Sequence, residues 1–414
     1  METPVTLPSL ELAEVQGLYG PYSFPEKLLQ RIWHRREFDS TTAWTECGQC
    51  IRVLHPGRWN QLGGPDFKNA RLLLNGAEVT GDVELHLHAA DWKRHGHHRD
   101  RAYDQVILHV ALWSSPDTET ERSDGRTVPL LILLPLLLYS LEDYAADAAV
   151  ETLANRAATR ATEELLGLPL VKRLEALHQH ALARWEQKMR FLRIRTERLG
   201  WTEACHHTAL EILGYRFNRA PMLRIAQRWS LDTWRREPCP ADDAFNSESG
   251  RWSLQGVRPA NHPRTRLGQY AQWVRAMPQW PDLCRNAESL LAWPRVHEIH
   301  PCQAFAVSSR EFRAKTGMAE LRSRLGNRWC GGALAGPRLD TVICNLLLPA
   351  RSLRPDLRDA LPFWLHWYAG DLPPVLRKSL RDLDVLSHAQ PLCHGLTQGL
   401  LGWWIEHERT LMKR

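Results

Sequence analysis

The chain has no uninterrupted apolar stretch long enough to cross a membrane. Its most apolar run, Val128 to Tyr139 (VPLLILLPLLLY), has Pro135 inside it and falls well short of the roughly 20 residues that a spanning helix takes. The opening segment METPVTLPSLELAEV carries acids and lacks the basic, then apolar pattern of a secretory signal. A cytoplasmic protein with no membrane partner is therefore expected. Cysteine is sparse and odd in number, nine in 414 residues without dense spacing, which argues against a disulfide framework and for reduced thiols. The lone Cys47-Gly-Gln-Cys50 lacks the second pair of a zinc ribbon and the following helix of a thioredoxin motif. Clustered basicity is missing too. The formal charge of +6 is compatible with a polyanionic partner without by itself requiring one. No internal repeat is present.

What is there divides into two regimes. Hydrophobic residues make up 43% and charged ones 24%, which is ordinary for a chain with a substantial core. Its length exceeds one usual domain. Residues 1–24 read as an N-terminal arm. Residues 25–140 alternate helix and strand signals. Pro25 opens PEKLLQRIWHRREF, in which Leu28, Leu29, Ile32, Trp33 and Phe38 recur at helical spacing. Cys50–Leu54 is short and extended, and His55-Pro56-Gly57 ends it. Phe67–Leu74 and Ala77–His88 form a hairpin about Asn75-Gly76. Residues 89–105 are polar and read as helical toward their end, and Val106–Trp113 is a further strand. Residues 141–235, rich in Ala, Leu, Glu and Arg, have high helix propensity and an apolar stripe at Leu174, Leu177, Leu182 and Trp185, and from 236 onward Pro and Trp punctuate shorter helices. The expected fold class is α+β: a core of order αβββαβ, then a predominantly α-helical domain, 141–414.

Metal-seeking side chains concentrate between Gly64 and Val110: Asp66, Glu84, His86, His88, Asp91, His95, His97, His98, Asp100 and His109. Carboxylates and imidazoles bind divalent cations and move protons near neutral pH. Alternation with period two places Glu84, His86 and His88 on one face of their strand, opposite Val83, Leu85 and Leu87. Unpaired charge buried on one strand face is costly, so the cluster points to function. His95, His97 and Asp100 suit metal or substrate contacts; a solvated turn with hydrogen-bonded histidines is the plainer reading. His109, among aliphatics, reads as a satisfied core histidine.

The order helix, three strands, helix, strand, with Pro65-Asp66 opening one strand and Glu84-Leu85-His86 on the next, resembles the PD-(D/E)xK nuclease superfamily over Pro25 to Trp113. The resemblance implies a restriction-endonuclease-like core in which Asp66 and Glu84 hold a divalent metal, magnesium or manganese, with help from the Leu85 carbonyl. His86 stands where that superfamily usually has lysine. An imidazole there implies a general base or a nitrogen ligand, and the second role moves metal preference toward manganese or zinc. At full length the chain is identified as a member of the bacterial domain of unknown function 2851 family, through IWHRREFD (32–39), HPGRWNQLGGPDFKNA (55–70), GDVELHLHAADWKRHGHHRDRAYDQVILHV (81–110) and RPANHPRTRLGQYAQ (258–272). Membership implies no established activity.

The expected function is a metal-dependent phosphodiesterase acting on nucleic acid. A hard cation withdraws charge from phosphate and activates water; Asp66 and Glu84 would bind it, and His86 would position or activate the water. Arg258, Arg264 and Arg266, on a proline-stiffened segment, suit a phosphate backbone or else form an interdomain brace by pairing with carboxylates. Two other readings stay open. One is a non-catalytic nucleic-acid-binding or assembly protein using the same core as scaffold. The other is a zinc-dependent hydrolase of a small substrate, built on Glu84, His86 and nearby histidines. The 18 tryptophans could stack on bases, but core packing explains most of them better.

Overall fold

The computed structural model describes residues 26–40, 43–60, 63–115, 120–138, 141, 144–145, 160–215, 218–236, 238–254, 257, 259–285, 308–353, 360–370, 372, 374–385 and 391–411. The expected arm, 1–24, lies outside the described residues. Two compact units make up the chain, one comprising Met1–Ala148 with Arg409–Arg414 and the other Ala149–Glu408.

The first unit opens with helix α1, Glu26–Arg35, which buries Leu28, Leu29, Ile32 and Trp33. Their spacing puts them on one face, and the Trp33 indole N–H donates to the Pro56 carbonyl at 3.0 Å. Six strands follow: β1 Ile51–His55, β2 Arg58–Trp59, β3 Phe67–Leu74, β4 Ala77–His88, β5 Val106–Trp113 and β6 Leu130–Ile132. They form one mixed sheet in the order β1-β3-β4-β5-β6, with β2 beside β3. The β1–β3 and β3–β4 pairs are antiparallel, and β4–β5 and β5–β6 are parallel. Asn75 and Gly76 both have positive φ, 49° and 86°, as a two-residue hairpin turn with the sheet's twist requires. At Gly81 an added Cβ would lie 2.4 Å from Ile107 Cγ2. Glycine alone fits there, where β4 meets the chain entering β5.

The sheet departs from expectation in two places. The helix expected within 89–105 is a four-residue turn, α2 (Asp91–Arg94), followed by two 3-10 turns. Gly96, at φ 80°, stops α2, and Asp100 is extended. The leucine-rich run supplies an unforeseen strand, β6. A continuous apolar run is what a parallel strand covered on both faces needs, and Pro135 falls just beyond it, in a 3-10 turn.

The second unit is predominantly helical among its described residues. Helix α3, Leu170–Leu213, is broken at Gly200 (φ 74°, ψ 165°) into two helical rods. Trp273, Trp280, Trp329, Trp364 and Trp367 are fully buried in its core. Indole N–H groups donate there to carbonyls, Trp273 to Trp329 at 2.8 Å and Trp364 to Cys344 at 3.0 Å. Of the adjacent pair, Trp404 is buried and Trp403 partly so. These rings are core, as packing predicted.

Candidate functional site

β3, β4 and α1 build the carboxylate half of a cleft in the first unit. Asp66 precedes β3, and Glu84 lies in the middle of β4. The two are interlocked. The Asp66 backbone N–H donates to Glu84 Oε2 at 2.9 Å, and the Leu85 backbone N–H donates to Asp66 Oδ2 at 3.1 Å. Gln30, from α1, donates to Asp66 Oδ1 at 2.7 Å and accepts from the Trp59 indole N–H at 3.2 Å.

Imidazoles form the other half, with His86 at their centre and 0% exposed. Its Nδ1 lies 2.9 Å from His109 Nε2, and its Nε2 lies 3.2 Å from both His95 Nδ1 and His97 Nε2. Glu84 Oε1 joins the halves, 3.6 Å from His86 Nε2 and 3.4 Å from His97 Nε2. The parallel register sets Glu84 beside His109. His95 and His97 are two residues apart, and the positive φ of Gly96 turns the chain between them so that both rings reach His86. Tyr103 stacks on His97 with ring centres 3.8 Å apart, and Trp92 meets it edge-on at 5.4 Å.

Burial dominates the electrostatics. It raises the Glu84 carboxyl to about 8, against the Asp66 N–H bond that lowers it. Burial, then the charge of Glu84, raises Asp66 to about 7. Burial and the charges of Asp66 and Asp91 raise Glu26, in the first turn of α1, to about 7. The imidazoles move the other way: burial and then neighbouring rings hold His86 far below its ordinary value, and His109 falls to about 3. His95 and His97 are also lowered by burial. The nearby cations are committed elsewhere, Lys68 to Asp82 at 2.7 Å and Arg94 to Asp91 at 2.9 Å. The cleft thus gathers neutral lone pairs and strained carboxyls, which is a cation's complement.

The structure brings Asp66, Glu84, His86, His95 and His97 together. Asp100 is exposed and caps its own turn by accepting from the Ala102 N–H at 2.9 Å. His88 is exposed and stacks on Trp113. Arg264 pairs with Asp242 at 2.9 Å, and Arg266 is buried and donates to Asn261 at 2.6 Å. Arg264 thus meets a carboxylate of its own unit, whereas Arg266 meets the neutral amide of its own segment. Arg258 lies outside the described residues. Sequence reasoning missed Glu26, Gln30 and Tyr103; His109 is the satisfied core histidine expected, buried with partners on both ring nitrogens, His86 and Thr120. Only the aromatic and histidine density around 92–103 signalled any of these.

Comparisons with curated proteins and with solved structures return no match. A family model described as protein of unknown function (DUF2851) matches residues 26–242. That span is just over half of the 414 residues and takes in every residue of the cleft, from Glu26 on α1 to His109 on β5. The chain belongs to the DUF2851 family.

Proposed function

We propose that this cleft is the active site of a metal-dependent phosphodiesterase acting on nucleic acid. The observation that carries the reading is the Asp66–Glu84 interlock, in which each carboxylate accepts from a backbone N–H beside the other, with His86 3.6 Å from Glu84. A divalent cation there supplies charge withdrawal from phosphate and makes bound water acidic. Asp66 is the carboxylate we assign to take a proton from that water and return it to the leaving oxygen. Gln30 and the Leu85 N–H hold that carboxylate in place. His86 has both ring nitrogens engaged within the cluster, so its part is to hold the ion rather than to activate water.

In favour of a restriction-endonuclease-like core is the sequence of α1 followed by the strands β1, β3, β4 and β5, with β2 inserted after β1 and only the short turn α2 where the second helix is expected. The net charge of +6 suits a polyanionic substrate. The test is cleavage of labelled DNA and RNA by the full-length chain with magnesium, manganese or zinc. Asp66→Asn and Glu84→Gln are expected to lower the rate by about 10²–10⁴-fold while circular dichroism stays unchanged. Absence of cleavage with every metal, or full activity in both variants, defeats the proposal.

A further inference from the structure

We infer that the ion of this cleft is a borderline transition cation, zinc foremost, held by His86 Nε2, His95 Nδ1 and His97 Nε2, with Glu84 Oε1 beside two of them. The inference deepens the reading of the cleft as a metal-dependent site and rests on it for the ion's role, though not for its ligands.

Distances carry the assignment. Zinc bonds of about 2.0–2.1 Å at tetrahedral angles set neighbouring ligand atoms about 3.3–3.4 Å apart. The separations along this set are 3.2 Å from His86 to His95, 3.2 Å from His86 to His97, 3.4 Å from Glu84 to His97 and 3.6 Å from Glu84 to His86. The three ring nitrogens all lie within 4.8 Å of one another. Hydrogen bonds alone serve this arrangement poorly: a neutral imidazole has one N–H, while His86 Nε2 faces two ring nitrogens and a carboxylate oxygen. One cation satisfies the three ring nitrogens together.

The buried end of His86 sets which nitrogen is free. Its Nδ1 lies 2.9 Å from His109 Nε2, and His109 Nδ1 lies 3.2 Å from Thr120 Oγ1. We assign the run of protons as His86 Nδ1–H to His109, and His109 Nδ1–H to Thr120. This tautomer leaves the His86 Nε2 lone pair pointing into the cluster, the arrangement found when the far nitrogen of a metal-bound histidine donates to a neighbour. His109 is then a positioning residue that never touches the ion. Three nitrogen ligands disfavour magnesium, which prefers oxygen and keeps its waters. Access is one-sided. His86, His97 and Glu84 are buried, whereas His95 is exposed, so solvent reaches the ion past His95, where zinc can add a further ligand.

The test uses the full-length chain, stripped with a chelator and titrated with zinc against a chromogenic competitor. One zinc per chain is expected, and cobalt(II) in its place should show the intense visible bands of tetrahedral coordination. His109→Leu should weaken zinc binding by about 10–100-fold, the usual effect of removing an orienting partner. His95→Ala and His97→Ala should weaken it more, and His98→Ala should leave it unchanged. His95 is exposed, so its variant keeps the fold, and undiminished zinc affinity in His95→Ala overturns the ligand set. Failure to bind zinc at all also overturns it. The two proposals fail separately. A zinc-loaded chain that cleaves no nucleic acid sinks the activity and leaves the site. A zinc-blind chain that cleaves with magnesium sinks the site and leaves the activity.

Discussion

The two units bury polar groups by opposite rules. In the helical unit several buried ionisable groups meet partners of complementary kind. Arg313 donates to the carbonyls of His366, Trp367, Pro391 and Leu392; Arg322 grips Asp340 with two bonds of 2.6 Å; Arg224 pairs with Glu248 at 2.9 Å. In the sheet unit, Glu26, Asp66 and Glu84 crowd one another beside four imidazoles that hold no proton to spare. Buried groups that complete one another within the chain stabilise a fold. Buried groups of like kind stay costly until something outside the chain arrives, and that contrast locates the site without reference to any motif.

The contrast can be broken at its strongest point by Arg313→Met. Each buried carbonyl left without a donor costs about 1–3 kcal/mol, so several together should lower the stability of the helical unit by roughly 3 kcal/mol or more. Urea denaturation reads this directly, and a loss under about 1 kcal/mol would mean that the carbonyls find water instead.

Acidity sharpens it next, because the two units should respond with opposite signs. Glu84 and Asp66 titrate near 8 and 7 in the fold, above their ordinary carboxylate values. The stability they lend the metal-free sheet unit is present below pH 4 and is lost as pH rises toward 8. Buried His206 and His207, at about 4 and 3, act in reverse on the helical unit. Their share is present above pH 6.5 and is lost as pH falls through 4. Hydrogen exchange, corrected for the intrinsic rate, should show protection of β3 and β4 rising, and of α3 falling, from pH 8 to pH 5. Parallel changes in the two units would refute the distinction. Weakest of all is Arg264→Ala. Its pair with Asp242 is 63% and 71% exposed, so the change in the denaturation midpoint should correspond to about 0–1 kcal/mol.

Much of the sheet unit was legible from local pattern. The strands Phe67–Leu74, Ala77–His88 and Val106–Trp113 stand where alternation and Asn75-Gly76 placed them, and α1 stands where its apolar face did. Local pattern failed where the outcome depends on distant chain. β6 exists because β5 offers it a parallel edge, and no period in VPLLILL separates a strand from a helix buried on all sides. His109 reached His86 only through the parallel pairing of β4 and β5. Glu26 entered the cleft because α1 packs on β4, a contact with no trace in its neighbours. Asp66, Glu84 and His86 were legible because chemistry and alternation agreed there.

The three imidazoles that converge beside Glu84 come from residues 86 to 97, one strand end and the turn that Gly96 closes. Joining the ends of so short a segment sacrifices little chain freedom. The grip is thus a cassette that could be cut out and set into another sheet. Left behind would be the neighbouring ribbon that bears His109, so a transplanted cassette should still recognise the ion's shape while holding its central ring with less discipline.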